Sequence, residues 1–457
     1  MAMDSQKVWR GSARGRQPAS REIERPASIP WMQRAERGLF RPGPGRESNG
    51  IFMRPKGRAL FFLKRKERDG KSMLIQNGVV HPMDGPVIPN GYVLLEGSKI
   101  KAVGPMEECP KDWTGPVLDA AGGHILPGFV DAHCHLGMCG DGLGFESEDD
   151  NESTDPCTPH LRALDGLNPM DRCFREAREA GVTTVLTGPG SGNPINGQGL
   201  VVKTVGRWAE EMVVREPASL KLALGENPKS VYNERKETPI TRMGTAAIIR
   251  AECGKALEYM DKQNKADAEE DTDPPDFDPK LEAFLPALKG ELPVHIHAHR
   301  ADDIATAVRL AREFGLKLVV VHGTEAHLLP ELLVREHIPV ITGPILSDRS
   351  KPELVNSTIE NPSLLAKAGV EIAICTDHPV TPIQYLPLCA AMAVRGGLDP
   401  EEALKAITLN GARLAGVADR VGSLTPGKDA DVVVTTGHPL DWMSMVAHVF
   451  IDGVRVK

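Results

Sequence analysis

Six imidazole and carboxylate side chains lie at or near the ends of strand-like segments, and these are the residues best suited to chemistry. They are His133, His135, Glu226, His297, His322 and Asp377. Residues i and i+2 of a strand face the same side, so His133 and His135 in "VDAHCH" point together. The same rule aligns His295, His297 and His299 in "PVHIHAH". Imidazole and carboxylate are the ligands of zinc and related divalent metals, so this pattern predicts a metal site.

Three further histidines lie near these strand ends. His299 and His378 are expected at the rim, where each could bind substrate or stabilise an oxyanion. Each could equally form only local hydrogen bonds, and the sequence leaves both interpretations open. His295 lies one residue pair deeper, where a buried, hydrogen-bonded histidine is the simpler interpretation.

Two loop-like segments follow the first two candidate strands. Segment 137–167 is acidic and carries Asp141, Glu146, Glu148, Asp149, Asp150, Glu152 and Asp155. As a lid it would favour a cationic substrate, and as a solvated loop it would have no function. Segment 187–199, "TGPGSGNPINGQG", is glycine-rich but lacks the Lys-Ser/Thr pair of a phosphate loop. Its Asn196 and Gln198 could instead hydrogen-bond an amide substrate.

Strand and helix patterns alternate through residues 127–415. In "DDIATAVRLAREFG" the spacing places Ile304, Val308 and Ala311 on one helix face, and a buried strand follows. Repeated β-α units imply a parallel sheet, either doubly wound or closed as a barrel. Eight candidate strands favour the barrel; they end near His135, Thr187, Lys203, Glu226, His297, His322, Thr342 and Asp377. The acidic segment 261–280 is interpreted as a solvated loop.

Both ends of the patterned chain are rich in short β-type runs and turns. Residues 73–126 and 416–457 alternate such runs with Gly, Asn and Pro. We therefore predict one small β domain completed by the two ends, beside an α/β domain at 127–415.

The first 72 residues differ in composition from the rest of the chain. They carry a net charge of +11, whereas the remaining residues carry −19. Residues 1–72 lack helical or strand periodicity, which predicts a disordered basic extension or a mis-called start before Met73. No aromatic residues are interleaved with the charges, and no apolar run approaches the roughly 20 residues of a membrane span. We expect a cytoplasmic protein with reduced cysteines and neither nucleic-acid nor membrane partners.

Four motifs resemble the amidohydrolase superfamily, and the resemblance covers nearly all of 73–457. They are "PGFVDAHCH", the histidines of the fifth and sixth strands, "CTDHP" and the closing "GSLTPGKDADVVV". The similarity is greatest to the imidazolonepropionase-like branch. It implies an α/β fold, in which a distorted TIM (β/α)8 barrel is flanked by a β-sandwich from both ends. It also implies that His133, His135, His297 and His322 bind metal, and that Asp377 binds metal weakly and shuttles a proton.

The fourth strand departs from the dihydroorotase-like pattern of this superfamily, which places a carboxylated lysine there. Glu226 occupies that region instead, as in some two-metal deaminases and deacetylases. Lys203, on the third strand, is the other inward candidate for a bridging ligand. The implied cofactor is a divalent metal, Zn²⁺ first and Mn²⁺ or Fe²⁺ as alternatives, with one or two ions per chain.

The resemblance implies an enzyme that hydrolyses a non-peptide C–N bond in a small-molecule amide or lactam. Ring deamination is the alternative, but ring deaminases commonly carry Glu where this chain has Arg300. A non-catalytic assembly protein is the third class, although such relatives typically lose the metal ligands that this chain keeps. We also expect a homo-oligomer.

Overall fold

The structure is a computed structural model that describes residues 70, 72–140, 144–269 and 271–457. The extension predicted at 1–72 therefore lies outside the described residues, except at Gly70 and Ser72. Within the described ranges, no helix combines the length and the apolar composition that a bilayer crossing requires.

Sixteen strands form two sheets in the described part of the chain. They are β1 (Met73–Val80), β2 (Ile88–Glu96), β3 (Lys99–Pro105), β4 (Val117–Asp119), β5 (His124–Pro127), β6 (Phe129–Cys134), β7 (Val182–Thr187), β8 (Ile195–Lys203), β9 (Val213–Ala223), β10 (Val294–Ala298), β11 (Leu318–His322), β12 (Val340–Thr342), β13 (Ile372–Ile374), β14 (Val432–Thr435), β15 (Val446–Ile451) and β16 (Val454–Arg455).

Helices occupy most of the longer connections between these strands. They are α1 (Ala163–Gly166), α2 (Cys173–Glu179), α3 (Ala209–Met212), α4 (Glu226–Arg235), α5 (Arg242–Ala268), α6 (Pro279–Leu288), α7 (Ala301–Phe314), α8 (Pro330–Arg335), α9 (Asn361–Ala368), α10 (Leu386–Arg395), α11 (Pro400–Ala406) and α12 (Leu409–Leu414).

One of the two sheets is a nearly closed barrel of eight strands, in the order β13-β12-β11-β10-β9-β8-β7-β6. Its two ends are joined by backbone hydrogen bonds beyond the strands: Asp377 N–H donates to His133 O at 3.2 Å, and His135 N–H donates to His378 O at 2.9 Å. The predicted barrel is confirmed.

The third barrel strand, β8, runs antiparallel to both of its neighbours, unlike the parallel order that we predicted. The connection from β7 to β8 contains only residues 188–194, and a parallel crossover needs about a dozen residues or more. The chain therefore has to reverse. As a result Lys203, at the end of β8, pairs with Thr184 near the start of β7, at the barrel end opposite the strand-end histidines.

The second sheet is built from both ends of the described chain, as predicted. Its order is β16-β15-β14-β5-β1-β2-β3, with β4 paired to β1. Strand β5 passes directly into the first barrel strand through the single residue Gly128, whose N–H donates to Asp431 O at 2.9 Å. This sheet therefore holds the start of the strand that carries His133.

Two predictions from the sequence concern the segments that form helices α7 and α5. Ile304, Val308 and Ala311 of α7 are all buried, as the spacing predicted. Helix α5 continues to Ala268, so the first eight residues of the predicted loop 261–280 are helical. Lys, Gln and Ala make up five of these eight residues and are good helix formers, which explains why the helix extends into this charged segment.

Lys203 belongs to a buried ion cluster between the two sheets and not to the strand-end site. Its fully buried Nζ contacts the carboxylate of Asp431 and lies 3.1 Å from Asp429 Oδ2 and 3.8 Å from Asp452 Oδ1. Asp429 also pairs with Arg420 at 2.8 Å. The reversal of β8 therefore gives Lys203 a structural role.

Lys203→Met should lower the free energy of unfolding by about 3–5 kcal/mol, because it leaves buried carboxylates without their cation. Lys101→Met is the control: Lys101 pairs with Glu96 at the surface, where an ion pair contributes about 0–1 kcal/mol. Urea unfolding of both variants measures the difference. A loss below about 1 kcal/mol for Lys203→Met would show that the cluster does not stabilise the junction.

Candidate active site

The predicted histidines converge at one end of the barrel. His133 lies in β6 and His135 follows it, His297 lies in β10, and His322 ends β11. All four are buried. His322 and Asp377, which follows β13, have φ values of 73° and 53°, in the left-handed region that non-glycine residues rarely adopt. Such strain typically marks functional positions.

The ligand atoms form two overlapping groups. His133 and His135 place Nε2 at 3.2 and 3.3 Å from Asp377 Oδ1. The ligand atoms of His133, His322 and Asp377 all lie within 4.8 Å of one another, and a second group satisfies the same limit: His297, His299 and His322. His322 belongs to both groups, so the two possible cation positions adjoin each other, but one ring nitrogen can bind only one ion.

Hydrogen bonds behind the rings determine which nitrogen faces the centre. Nδ1 of His135 lies 2.8 Å from Gly188 O, and Nδ1 of His322 lies 2.8 Å from Gly343 O. A carbonyl oxygen only accepts, so each Nδ1 carries the hydrogen and Nε2 presents a lone pair. Asp377 raises the pKa of His135 against the effect of burial, but in the neutral ring His135 Nε2 and Asp377 Oδ1 are two acceptors facing each other. A cation between them satisfies both, so the residues fit a divalent metal.

Burial keeps most of these rings in the neutral, ligand form. It lowers the pKa of His133 to about 3 and that of His299 to about 4, and it holds the pKa values of His297 and His322 well below the usual range. Burial alone would raise the pKa of Asp377, but the neighbouring His322, His133 and His135 lower it strongly overall. Neutral imidazole and ionised carboxylate are the protonation states that bind metal.

Lys221 is a site residue that the sequence analysis missed. It lies on β9, the fourth barrel strand, with Nζ 3.3 Å from His133 Nε2. Burial lowers the pKa of its amine to about 8. The inferred departure from the dihydroorotase-like pattern is therefore wrong, because the fourth strand does bring a lysine to the histidines. The available signal was a lysine inside the buried run "LKLALG", since lysine is almost never fully buried without a partner.

Glu226 does not join the histidines. It begins α4 and lines a separate cavity of about 360 Å³ together with Lys229 and Arg242. The strand ends at Ala223, and the following turn carries the chain outward before Glu226 is reached. A different carboxylate, Glu353, lies beside the histidines. Its Oε1 is 3.8 Å from His297 Nε2 and 3.7 Å from His299 Nε2.

A cavity of about 1170 Å³ opens above the ligand groups. His135, His297, His299, His322 and Asp377 form its floor. Its wall includes acidic residues of the predicted lid, Glu148 and Asp150, and basic residues of the loop after β12, Arg349 and Lys351.

Of the four residues that the sequence predicted to contact substrate, only His299 lines the cavity. His299 lies in the cavity, and its Nδ1 is 2.7 Å from Thr324 Oγ1. His378 Nδ1 instead accepts from Ile383 N–H at 3.2 Å, and His378 is not part of the cavity wall.

The side-chain amides of Asn196 and Gln198 also form hydrogen bonds to nearby backbone carbonyls. Asn196 Nδ2 donates to Asn193 O at 2.8 Å, and Gln198 Nε2 donates to Pro159 O at 3.2 Å. Neither residue lines the cavity. Their proximity in sequence to the strand ends was therefore not enough to place them against a substrate.

Asp131 and Thr376 hold Asp377 in place. Asp131 Oδ2 accepts from Thr376 N–H at 3.0 Å and from Thr376 Oγ1 at 2.6 Å, and its Oδ1 accepts from His133 N–H at 3.1 Å. These bonds join β6 to the residue before Asp377, where the barrel closes. Asp131 and Thr376 are thus positioning residues for the carboxylate.

Thr376→Val should lower kcat by about 10- to 100-fold, because a displacement of about 1 Å at a reacting group has effects of this size. Bound metal and KM should change little. Thr376→Ser keeps the hydroxyl and serves as the control. Equal losses of kcat in both variants would assign the effect to packing of the threonine methyl group.

A barrel with imidazole and carboxylate groups gathered at its strand ends defines a class of hydrolases, and comparisons with known proteins agree. A model of the Amidohydrolase family matches residues 243–456. The crystal structure of an amidohydrolase from Thermotoga maritima MSB8 is 46% identical, covers 84% of this chain and 99% of its own, and has a TM-score of 0.81. This chain belongs to the amidohydrolase family, and the resemblance drawn from its motifs is confirmed.

Two curated relatives extend the comparison. Amidohydrolase tasK of Hapsidospora irregularis is 30% identical over 453 residues, which are 90% of this chain but only 44% of tasK. Imidazolonepropionase of Idiomarina loihiensis is 25% identical over 388 residues, covering 76% of this chain and 86% of the relative.

Proposed function

We propose that this amidohydrolase uses a divalent metal to hydrolyse a non-peptide C–N bond in a small amide or lactam. The observation that carries the proposal is the contact of Asp377 Oδ1 with Nε2 of both His133 and His135, on the floor of an open cavity. This contact places a proton acceptor beside the predicted metal ligands and within reach of a substrate.

The proposed cofactor is Zn²⁺, with Mn²⁺ or Fe²⁺ as alternatives. His133, His135 and Asp377 would hold one ion, and His297 with His322 would hold part of a second. Lys221 occupies the position of the carboxylated lysine in dihydroorotase-like relatives and would join the ligands after its amine takes up CO₂. When bound, such a metal supplies a Lewis acid that polarises a carbonyl and lowers the pKa of water from 15.7 to about 7.

Asp377 would move the proton. Its low pKa keeps it ionised near neutral pH, so it can accept the proton of the attacking water and then donate it to the leaving nitrogen. His299 lies on the cavity floor next to His297 and His322.

The names of the relatives favour a cyclic amide. Several curated relatives at 23–27% identity are imidazolonepropionases, and an imidazolone ring contains an amide C–N bond. The cavity of about 1170 Å³ exceeds the roughly 300–1,000 Å³ of common small-molecule sites. We therefore propose a substrate larger than a single five-membered ring.

The test is a hydrolysis screen with product identification. Lactams, linear amides, dipeptides and amino-substituted rings are incubated with the metal-loaded full chain, and products are identified by mass spectrometry and an ammonia assay. The proposal predicts cleavage of an amide or lactam. Release of ammonia from an aminated ring as the dominant reaction would establish the deaminase alternative, and preferred cleavage of dipeptides would reject the non-peptide class.

The acidic rim predicts a preference for cationic substrates. Asp150 lines the cavity, so Asp150→Asn should raise KM for a cationic substrate about fivefold, since a partly exposed charge contributes on the order of 1 kcal/mol. The effect should fade in 1 M salt, where the screening length is about 3 Å. Asp149→Asn is the matched control, because its neighbour Asp149 is exposed and outside the cavity wall. Equal KM values for Asp150→Asn and wild type at low salt would make the lid a solvated loop.

A further inference from the structure

Two buried polar atoms at the edge of the ligand groups have no hydrogen-bond partner among the described residues: His297 Nε2 and Glu353 Oε1. They face each other at 3.8 Å, and His299 Nε2 lies 3.7 Å from the same Glu353 oxygen. Glu353 is only 1% exposed. A buried carboxylate oxygen without a hydrogen-bond partner destabilises a protein. This arrangement therefore indicates that a ligand binds between Glu353 and the two histidines.

The local structure aims the Glu353 carboxylate at the two histidines. Glu353 lies in a single 3-10 turn, Pro352–Leu354, and its Oε2 accepts the Glu226 N–H at 2.9 Å. That bond leaves Oε1 directed toward His297 and His299. Gly225 makes the approach possible, because a Cβ on this residue would lie 2.8 Å from Glu353 Oε2.

The spacing suits a shared cation. Zinc binds imidazole nitrogen and carboxylate oxygen at about 2.0–2.2 Å, so two ligand atoms on one ion are separated by at most about 4.2 Å. The separations of 3.7 and 3.8 Å fall within this limit. The nearest basic group, Lys351 Nζ, lies 4.0 Å from Glu353 Oε1 and donates to Asn227 Oδ1 at 2.7 Å. Lys351 therefore does not satisfy Glu353 Oε1 in place of a bound cation.

We propose that Glu353 and His299 are metal ligands that share a cation with His297. None of the motifs that carry the family resemblance contains Glu353. The proposal assigns the second ion a carboxylate from the loop after β12 and gives His299 a role in binding metal. It rests on the proposal that the site holds metal, but its test measures bound metal and not hydrolysis.

The experiment compares Zn²⁺ binding by metal-free full-length wild type, Glu353→Gln and Glu325→Gln, in competition with a chelating dye. Glu325 is a matched control: it is a buried carboxylate nearby, but Asn356 Nδ2 and Ala301 N–H donate to its two oxygens at 2.7 and 2.8 Å. Glu353→Gln should weaken the second Zn²⁺ at least about tenfold. Glu325→Gln should bind two ions like wild type.

Thermal unfolding separates ligand loss from misfolding. Without metal, Glu353→Gln should be at least as stable as wild type, because it replaces a buried carboxylate whose Oε1 has no hydrogen-bond partner. With Zn²⁺, wild type should gain more in Tm than the variant, since a ligand that binds the folded state more tightly stabilises it more. His299→Asn should also weaken the second ion.

Unchanged affinity for both ions in Glu353→Gln or in His299→Asn would overturn the proposal. If Glu353→Gln does not fold, His299→Asn decides. A protein that binds metal as described but hydrolyses none of the screened compounds would refute the proposed function and leave this assignment intact.

Discussion

Asp377→Asn should lower kcat by about 10²–10⁴-fold while the fold and most of the bound metal remain, because loss of a positioned acid–base group has effects of this size. Asn keeps an oxygen near His133 and His135, but it cannot accept a proton. Asn is also compatible with the backbone conformation, because Asp377 has a φ of 53° and Asn is enriched in that left-handed region. Asp377→Ala would add backbone strain to the chemical change and is the poorer variant.

Steady-state kinetics and metal analysis on the same sample measure this result. Thr376→Ser, which keeps the hydrogen bond to Asp131, controls for disturbance of the segment that holds Asp377. Near-normal turnover by Asp377→Asn would refute its role as proton acceptor. Complete loss of metal would instead make Asp377 chiefly a ligand.

His322→Asn should abolish activity and weaken the ion held with His297 by at least about 100-fold, because even partners behind the ligands contribute 10- to 100-fold. His322 is the residue common to the two ligand groups. Its φ of 73° is again compatible with Asn, so the change tests the imidazole and not the backbone.

His337→Asn provides a matched control. His337 is exposed, lies outside both ligand groups and has a φ of 53°. It should bind metal and turn over like wild type. If His322→Asn bound both ions at full affinity, the assignment of His322 as a metal ligand would be wrong.

The strand-end histidines were predictable because the signal is local. Strand periodicity places His133 beside His135, and parallel strands bring their carboxyl ends to one rim, which gathers His297, His322 and Asp377. Recognition of eight strand ends was sufficient to predict this part of the site. The types and spacing of these residues were sufficient for this prediction, without any knowledge of how the loops run.

The errors arose where position depends on the path of the chain. Lys203 was taken as inward because β8 was assumed parallel, although the short connection 188–194 could have shown its reversal. Lys221 was hidden in an apolar run. Glu353 reaches the site only through the long loop after β12, whose course no periodic pattern encodes.

A metal titration of the chelator-stripped full chain tests whether hydrolysis depends on a metal bound by the strand-end histidines. The rate of hydrolysis of the best amide or lactam from the screen is measured against Zn²⁺ bound per chain. We expect no activity without metal, and a rate that rises with bound Zn²⁺ and saturates when the position at His133, His135 and Asp377 is filled. Full activity in the stripped protein would contradict it.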